Sequence, residues 1–109
     1  MDDSVAEHSR PLRILIADDS DSDRLILKTL LKRLGHEVLD VANGLDAVSV
    51  FQREAPDLVL LDALMPVMDG MEAARQIKLL AGERLVPLIF LTSLSEAGAL
   101  ARCLEAGGD

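Results

Sequence analysis

Short, almost purely aliphatic runs recur along this sequence, and each leads into a stretch where apolar residues return every three or four positions. Leu12–Ala17 (LRILIA), Leu58–Leu61 (LVLL) and the LIFLT segment from Leu88 are nearly continuous runs. A half-buried strand alternates between polar and apolar, whereas a strand covered on both faces of a parallel sheet does not. The remaining run, Glu37–Ala42 (EVLDVA), does alternate, as an edge strand with one wetter face should. Between these runs lie helical patterns. Ile26, Leu27, Leu30, Leu31 and Leu34 share one face, with Ser20 or Ser22 able to cap the start and Gly35 the end. Asn43-Gly44 opens a second helix carrying Leu45, Val48 and Phe51, and Asp69-Gly70 a third carrying Met71, Ala74, Ile77 and Leu80. Ala97, Leu100, Ala101 and Leu104 mark a fourth, ending at Gly107-Gly108. Strand and helix alternate four times. Right-handed crossovers then predict an α/β fold, a doubly wound parallel sheet covered on both faces.

The length of 109 residues allows one core, placed in residues 12–109, behind a polar leader of residues 1–11 expected to be flexible. Half of the residues are hydrophobic, so a packed interior is expected. Phe51 and Phe90 are the only aromatics and the formal net charge is −8, which argues against direct nucleic-acid binding and against attraction to an anionic membrane surface. No apolar run approaches the ~20 residues of a membrane span, and the opening MDDSVAEHSRP has no signal-peptide core; a cytoplasmic setting is expected. The single cysteine, Cys103, excludes an internal disulfide. Neither His8 nor His36 has a partner at metal-ligand spacing, so ordinary surface histidines are expected.

In such sheets, functional groups collect at the carboxyl ends of the strands. Here those ends carry Asp18 and Asp19 on the first strand, Asp62 on the third, and Thr92 and Ser93 on the fourth. Neighbouring strands lie about 4.8 Å apart, so the side chains can converge on one rim. Crowded carboxylates repel unless one takes a proton or a cation joins them. A set of oxygens without His or Cys favours Mg²⁺, beside which a carboxylate can attack phosphorus. Singly, Asp18-Asp19 reads as a helix cap, Asp62 as a turn residue and Thr92 as an ordinary strand residue. Their shared placement is what signals a site.

LRILIADDSDSDR, DLVLLDALMPVMDG and PLIFLTS together resemble the receiver domain of two-component response regulators, from Leu12 to Asp109. The resemblance implies a flavodoxin-like sheet in the order 2-1-3-4, followed in the family by a fifth strand and a fifth helix. It implies that Asp62 accepts a phosphoryl group from a histidine kinase or histidine phosphotransfer protein. Asp19 would bind Mg²⁺ directly, Asp18 mainly through water, and the backbone carbonyl of Leu64 would complete the protein's ligands with Asp62. Thr92 would donate its hydroxyl to the phosphoryl group as the switch residue, and Ser93 would leave room for that group. Pro66 and Asp69-Gly70 would shape the supporting loop. Such a domain is a phosphoacceptor that at most promotes its own dephosphorylation, and it commonly signals to an output domain.

EAGGD at residues 105–109 resembles the turn before the family's fifth strand, so the lysine, the aromatic switch partner and the last helix of the pattern have no counterpart here. Two expectations stay open. The sequence is part of a longer regulator, or the chain self-associates or swaps domains through the exposed edge of residues 86–92. A second functional reading also stays open: a degenerate receiver acting as a protein-interaction module without phosphorylation. An aspartate-nucleophile phosphatase would need a second Asp where Leu64 stands, and a flavin site would not place acids where phosphate sits.

Overall fold

The computed structural model describes residues 10–91. Ile14, Leu15, Ile16 and Ala17 are each at most 1% exposed, as a continuous aliphatic run becomes when both of its faces are covered. They form β1 (Arg13–Ala17), the start of a regular alternation. It continues through α1 (Asp21–Arg33), β2 (Glu37–Val41), α2 (Gly44–Glu54), β3 (Leu58–Leu61), α3 (Gly70–Ala81) and β4 (Leu88–Phe90). All pairings are parallel, in the order β2-β1-β3-β4, as expected. The fourth expected helix, and Thr92 and Ser93, lie outside the described residues. The strands are a residue or two shorter than the aliphatic runs, except β3, which spans Leu58–Leu61 as expected.

Alternation within the strands sorts the interior into two layers. Leu15, Ala17, Val59, Leu61 and Leu88 point to one face, where Ala47 and Phe51 of α2 and Met71, Ala74 and Ile77 of α3 cover them. Ile14, Ile16 and Leu60 point to the other, against Leu27 and Leu31 of α1. The helices therefore lie on both faces, which is the doubly wound arrangement. Burying one such aliphatic side chain contributes about 1.5–3 kcal/mol, so the larger layer carries most of the cohesion.

Three helix faces differ from the periodic expectation at their margins. Ile26, Leu30 and Leu34 are more than half exposed, and the apolar contact of α1 with the sheet runs through Leu27 and Leu31. On α2, Leu45 turns outward while Ala47 is fully buried; on α3, Leu80 turns outward while Ala73 is buried. The physical reason is that an apolar stripe about 100° wide leaves flanking positions undecided, and close helix–sheet approach selects the small alanine. His36 also departs from expectation. It is half-buried, and its Nδ1 accepts the Leu12 N–H at 3.1 Å, tying the start of the first strand to the α1–β2 turn.

Each of the described helices begins with a side-chain cap at the same end of the sheet. Ser20 accepts from the Asp23 N–H, Asn43 from Asp46 and Asp69 from Glu72. Such a cap typically contributes ~1 kcal/mol, and here all three fix the turns that line one rim.

Candidate functional site

Asp18 is the first residue beyond β1, and Asp62 the first beyond β3. Because Ala17 pairs with Leu61, the two aspartates leave adjacent strands side by side. The Asp62 N–H donates to the Ala17 carbonyl at 2.8 Å, and the Asp18 N–H to the Val41 carbonyl at 3.1 Å. Asp18 is 6% exposed, Asp62 is half-buried and Asp19 faces solvent. Carboxylate oxygens of the three lie within 4.8 Å of one another. The expected convergence of Asp18, Asp19 and Asp62 is therefore present.

Hydrogen bonds aim two of these carboxylates. Oδ1 of Asp18 accepts the Ser20 N–H at 2.9 Å, so the same turn that caps α1 orients the acid. Oδ1 of Asp62 accepts the Leu64 N–H at 3.3 Å. Burial, with the charges of Asp18 and Asp19 and a hydrogen bond to Asp19 adding to it, pushes the Asp62 carboxyl up to about 6, against the opposing pull of the Leu64 N–H. Negative charge is thus held here at a cost that a bound cation would relieve. The donors are oxygens only, close enough to share one ion, which suits a hard divalent cation that keeps some of its water.

The loop after Asp62 is tightly constrained. Val67 has φ 70, and the Met68 N–H closes a three-residue turn onto the Pro66 carbonyl at 2.8 Å. The Met68 carbonyl then receives the Gly44 N–H at 2.9 Å, fastening the loop to the start of α2. Gly70 donates to the Ala63 carbonyl at 2.9 Å as α3 begins. Through these contacts the Pro66 and Asp69-Gly70 positions hold the chain close behind Asp62.

A family model, the response regulator receiver domain, matches residues 14–109. The chain belongs to the response regulator receiver family. It is 41% identical over 97 residues to the probable transcriptional regulator ycf27 of Porphyridium aerugineum, covering 89% of this chain and 39% of that one. It is 39% identical over 104 residues to the sensor protein GacS of Pseudomonas syringae, covering 93% of this chain and 12% of that one. This receiver thus spans well under half the length of these relatives. Among solved structures, the receiver domain of a sensor histidine kinase from Pseudomonas aeruginosa PAO1 is similar at a TM-score of 0.83 and 34% identity, covering 92% of this chain and 82% of that one. That structure has a magnesium ion coordinated in its active site cleft.

One neighbour of the acidic cluster escaped the sequence reading. Arg24 reaches back from α1 to the main-chain oxygen of Asp18 at 2.7 Å. Spacing along the chain offers no hint of it, because the contact depends on how α1 sits against β1 and β2.

Proposed function

We propose that this receiver takes a phosphoryl group onto Asp62 from a histidine kinase or histidine phosphotransfer protein. The convergence of Asp18, Asp19 and Asp62 at one rim is the observation that carries this reading. At neutral pH a carboxyl near 6 is mostly ionised, so an Asp62 oxygen is available to attack phosphorus. The new O–P bond forms as the P–N bond of the donor phosphohistidine breaks, and the imidazole leaves with the bonding electron pair. Asp18, Asp19, Asp62 and the Leu64 backbone carbonyl would hold Mg²⁺. When bound, that ion offsets the negative charge of the carboxylates and of the incoming phosphoryl oxygens. The Asp62 Oδ1–Leu64 N–H bond fixes the carboxylate in one orientation, and the short turn at Val67 keeps the loop from drifting over it. Thr92 would report the modification through its hydroxyl, with Ser93 leaving space beside it, and the domain would then shift between two conformations.

The test is incubation with a small acyl phosphate donor and Mg²⁺, followed by intact mass. The expected result is a gain of one phosphoryl group, abolished in Asp62→Ala and by chelation of the metal. No gain in the wild-type chain would overturn phosphorylation and favour a binding module built on the same fold.

A further inference from the structure

Arg24 sits one turn into α1, with only 18% of its side chain exposed. Its guanidinium makes three directed bonds. Nη1 donates to the Asp18 main-chain oxygen at 2.7 Å, Nε to Asp40 Oδ2 at 3.1 Å and Nη2 to Asp21 Oδ1 at 2.7 Å. The residue therefore joins three places: the end of β1, the first turn of α1 and the last residues of β2.

β2 reaches the Asp18 region twice. Its Val41 carbonyl receives the Asp18 N–H, and its Asp40 carboxylate holds the guanidinium that holds the Asp18 carbonyl. Lys28 occupies the other oxygen of Asp40 at 3.1 Å. Burial works to raise the Asp40 carboxyl, but hydrogen bonds and charge from Lys28 and Arg24 outweigh it and hold it below the ordinary carboxylate range. The assembly contains two cations, Arg24 and Lys28, and two anions, Asp21 and Asp40, so it brings no net charge to the rim.

The Asp18 carbonyl belongs to the peptide that links Asp18 to Asp19. A rotation of that peptide would swing the two carboxylates relative to Asp62. We propose that Arg24 is a positioning residue that locks this peptide, so that Asp18 and Asp19 meet Asp62 at the spacing a divalent cation needs. The inference rests on the reading that the acidic cluster takes such a cation.

Two physical effects of Arg24 have opposite signs, which makes the idea testable. Coulomb's law alone says that deleting a nearby positive charge tightens cation binding. Loss of positioning loosens it, and outer residues that orient ligands typically account for about 10–100-fold in metal affinity. The experiment titrates Mn²⁺ into the intact chain and its variants, reading affinity from water-proton relaxation, with the Ser20 amide shift followed by NMR. Arg24→Gln is expected to weaken Mn²⁺ binding about tenfold or more and to shift the Ser20 amide, whose partner is Asp18 Oδ1. Lys28→Gln removes the same charge but no bond to the Asp18 carbonyl, and is expected to leave affinity unchanged or slightly tighter. Should Arg24→Gln melt below the assay temperature in EDTA, Arg24→Lys carries the same expectation, since it keeps the charge and loses the three-way fork. Wild-type binding that is matched or exceeded by the Arg24 variants overturns the positioning role and leaves the cation site standing. A wild-type chain that binds Mn²⁺ no better than Asp62→Asn overturns both.

Discussion

Gly70 and Asp62 meet backbone to backbone: a Cβ added at Gly70 would fall 2.1 Å from the Asp62 main-chain oxygen. No side-chain rotation relieves such a contact, because both atoms belong to the main chain or are rigidly attached to it. The start of α3 and the end of β3 must separate to admit even one methyl group. Gly70→Ala is therefore expected to destabilise the fold by roughly 1–3 kcal/mol, read as a fall in the urea midpoint. It should also slow phosphorylation, because the displaced carbonyl is that of the proposed acceptor residue. An unchanged midpoint would mean that the close approach relaxes at no cost.

Val67 presents the reverse case. It holds a left-handed φ of 70, which a β-branched residue adopts only under constraint, yet the residue is 78% exposed and adds little packing. A non-glycine residue in that region costs on the order of 1–3 kcal/mol, while glycine loses more chain entropy on folding, about 0.5–1 kcal/mol. Val67→Gly is expected to raise stability by about 1 kcal/mol in chemical denaturation. Since the turn fastens the loop to Gly44 through Met68, amide exchange at Gly44 should stay slow in the variant.

These two positions also mark where sequence reasoning stops. The strands and the acidic trio were legible, because burial on two faces leaves continuous aliphatic runs and any such sheet gathers its functional groups at one rim, while the sheet order followed from the family resemblance. Gly70 was legible as a turn residue, but the need for it comes from the distance between α3 and β3, which no local pattern encodes. Arg24 was hidden for the same reason, its partners Asp18, just beyond β1, and Asp40, on β2, being brought to it by the packing of α1. Leu45 and Leu80 fit the helical period and still face outward, while Ala47 and Ala73 turn in, since only small side chains allow that approach.

The Asp62 carboxyl predicts how stability follows pH in metal-free buffer. Its value in the fold, about 6, lies above the ordinary 3.8, so the folded chain holds a proton that the unfolded chain has released. Below the ordinary value both states are protonated and the preference is fully present. As pH rises from about 4 to about 6 the fold must give up that proton, and stability from this group falls. Asp62→Asn, neutral and nearly the same shape, should escape the loss. The melting temperature of the variant minus that of the wild type, measured in EDTA, is expected to grow across that window and then level off. Added Mg²⁺ should raise the wild-type melting temperature at pH 7 and leave Asp62→Asn nearly unmoved. A difference that stays flat with pH would count against the raised Asp62 carboxyl and the burial that causes it.

Leu64 sets the last expectation, on the lifetime of the phosphorylated state. Its backbone N–H orients Asp62, whereas the residue is 59% exposed and its side chain apolar, two residues from the proposed acceptor. Hydrolysis of an acyl phosphate needs a water held in line with the breaking bond, and an isobutyl group offers that water no hydrogen bond. An amide at the same place can offer one, and a single such bond is worth about 1 kcal/mol, or roughly a fivefold change in rate. Leu64→Asn is therefore expected to shorten the half-life of the phosphorylated protein about fivefold while leaving the phosphoryl uptake itself intact. The decay is followed by intact mass after removal of the donor. Equal half-lives in the two proteins would show that water reaches the phosphoryl group by a path that avoids this side chain.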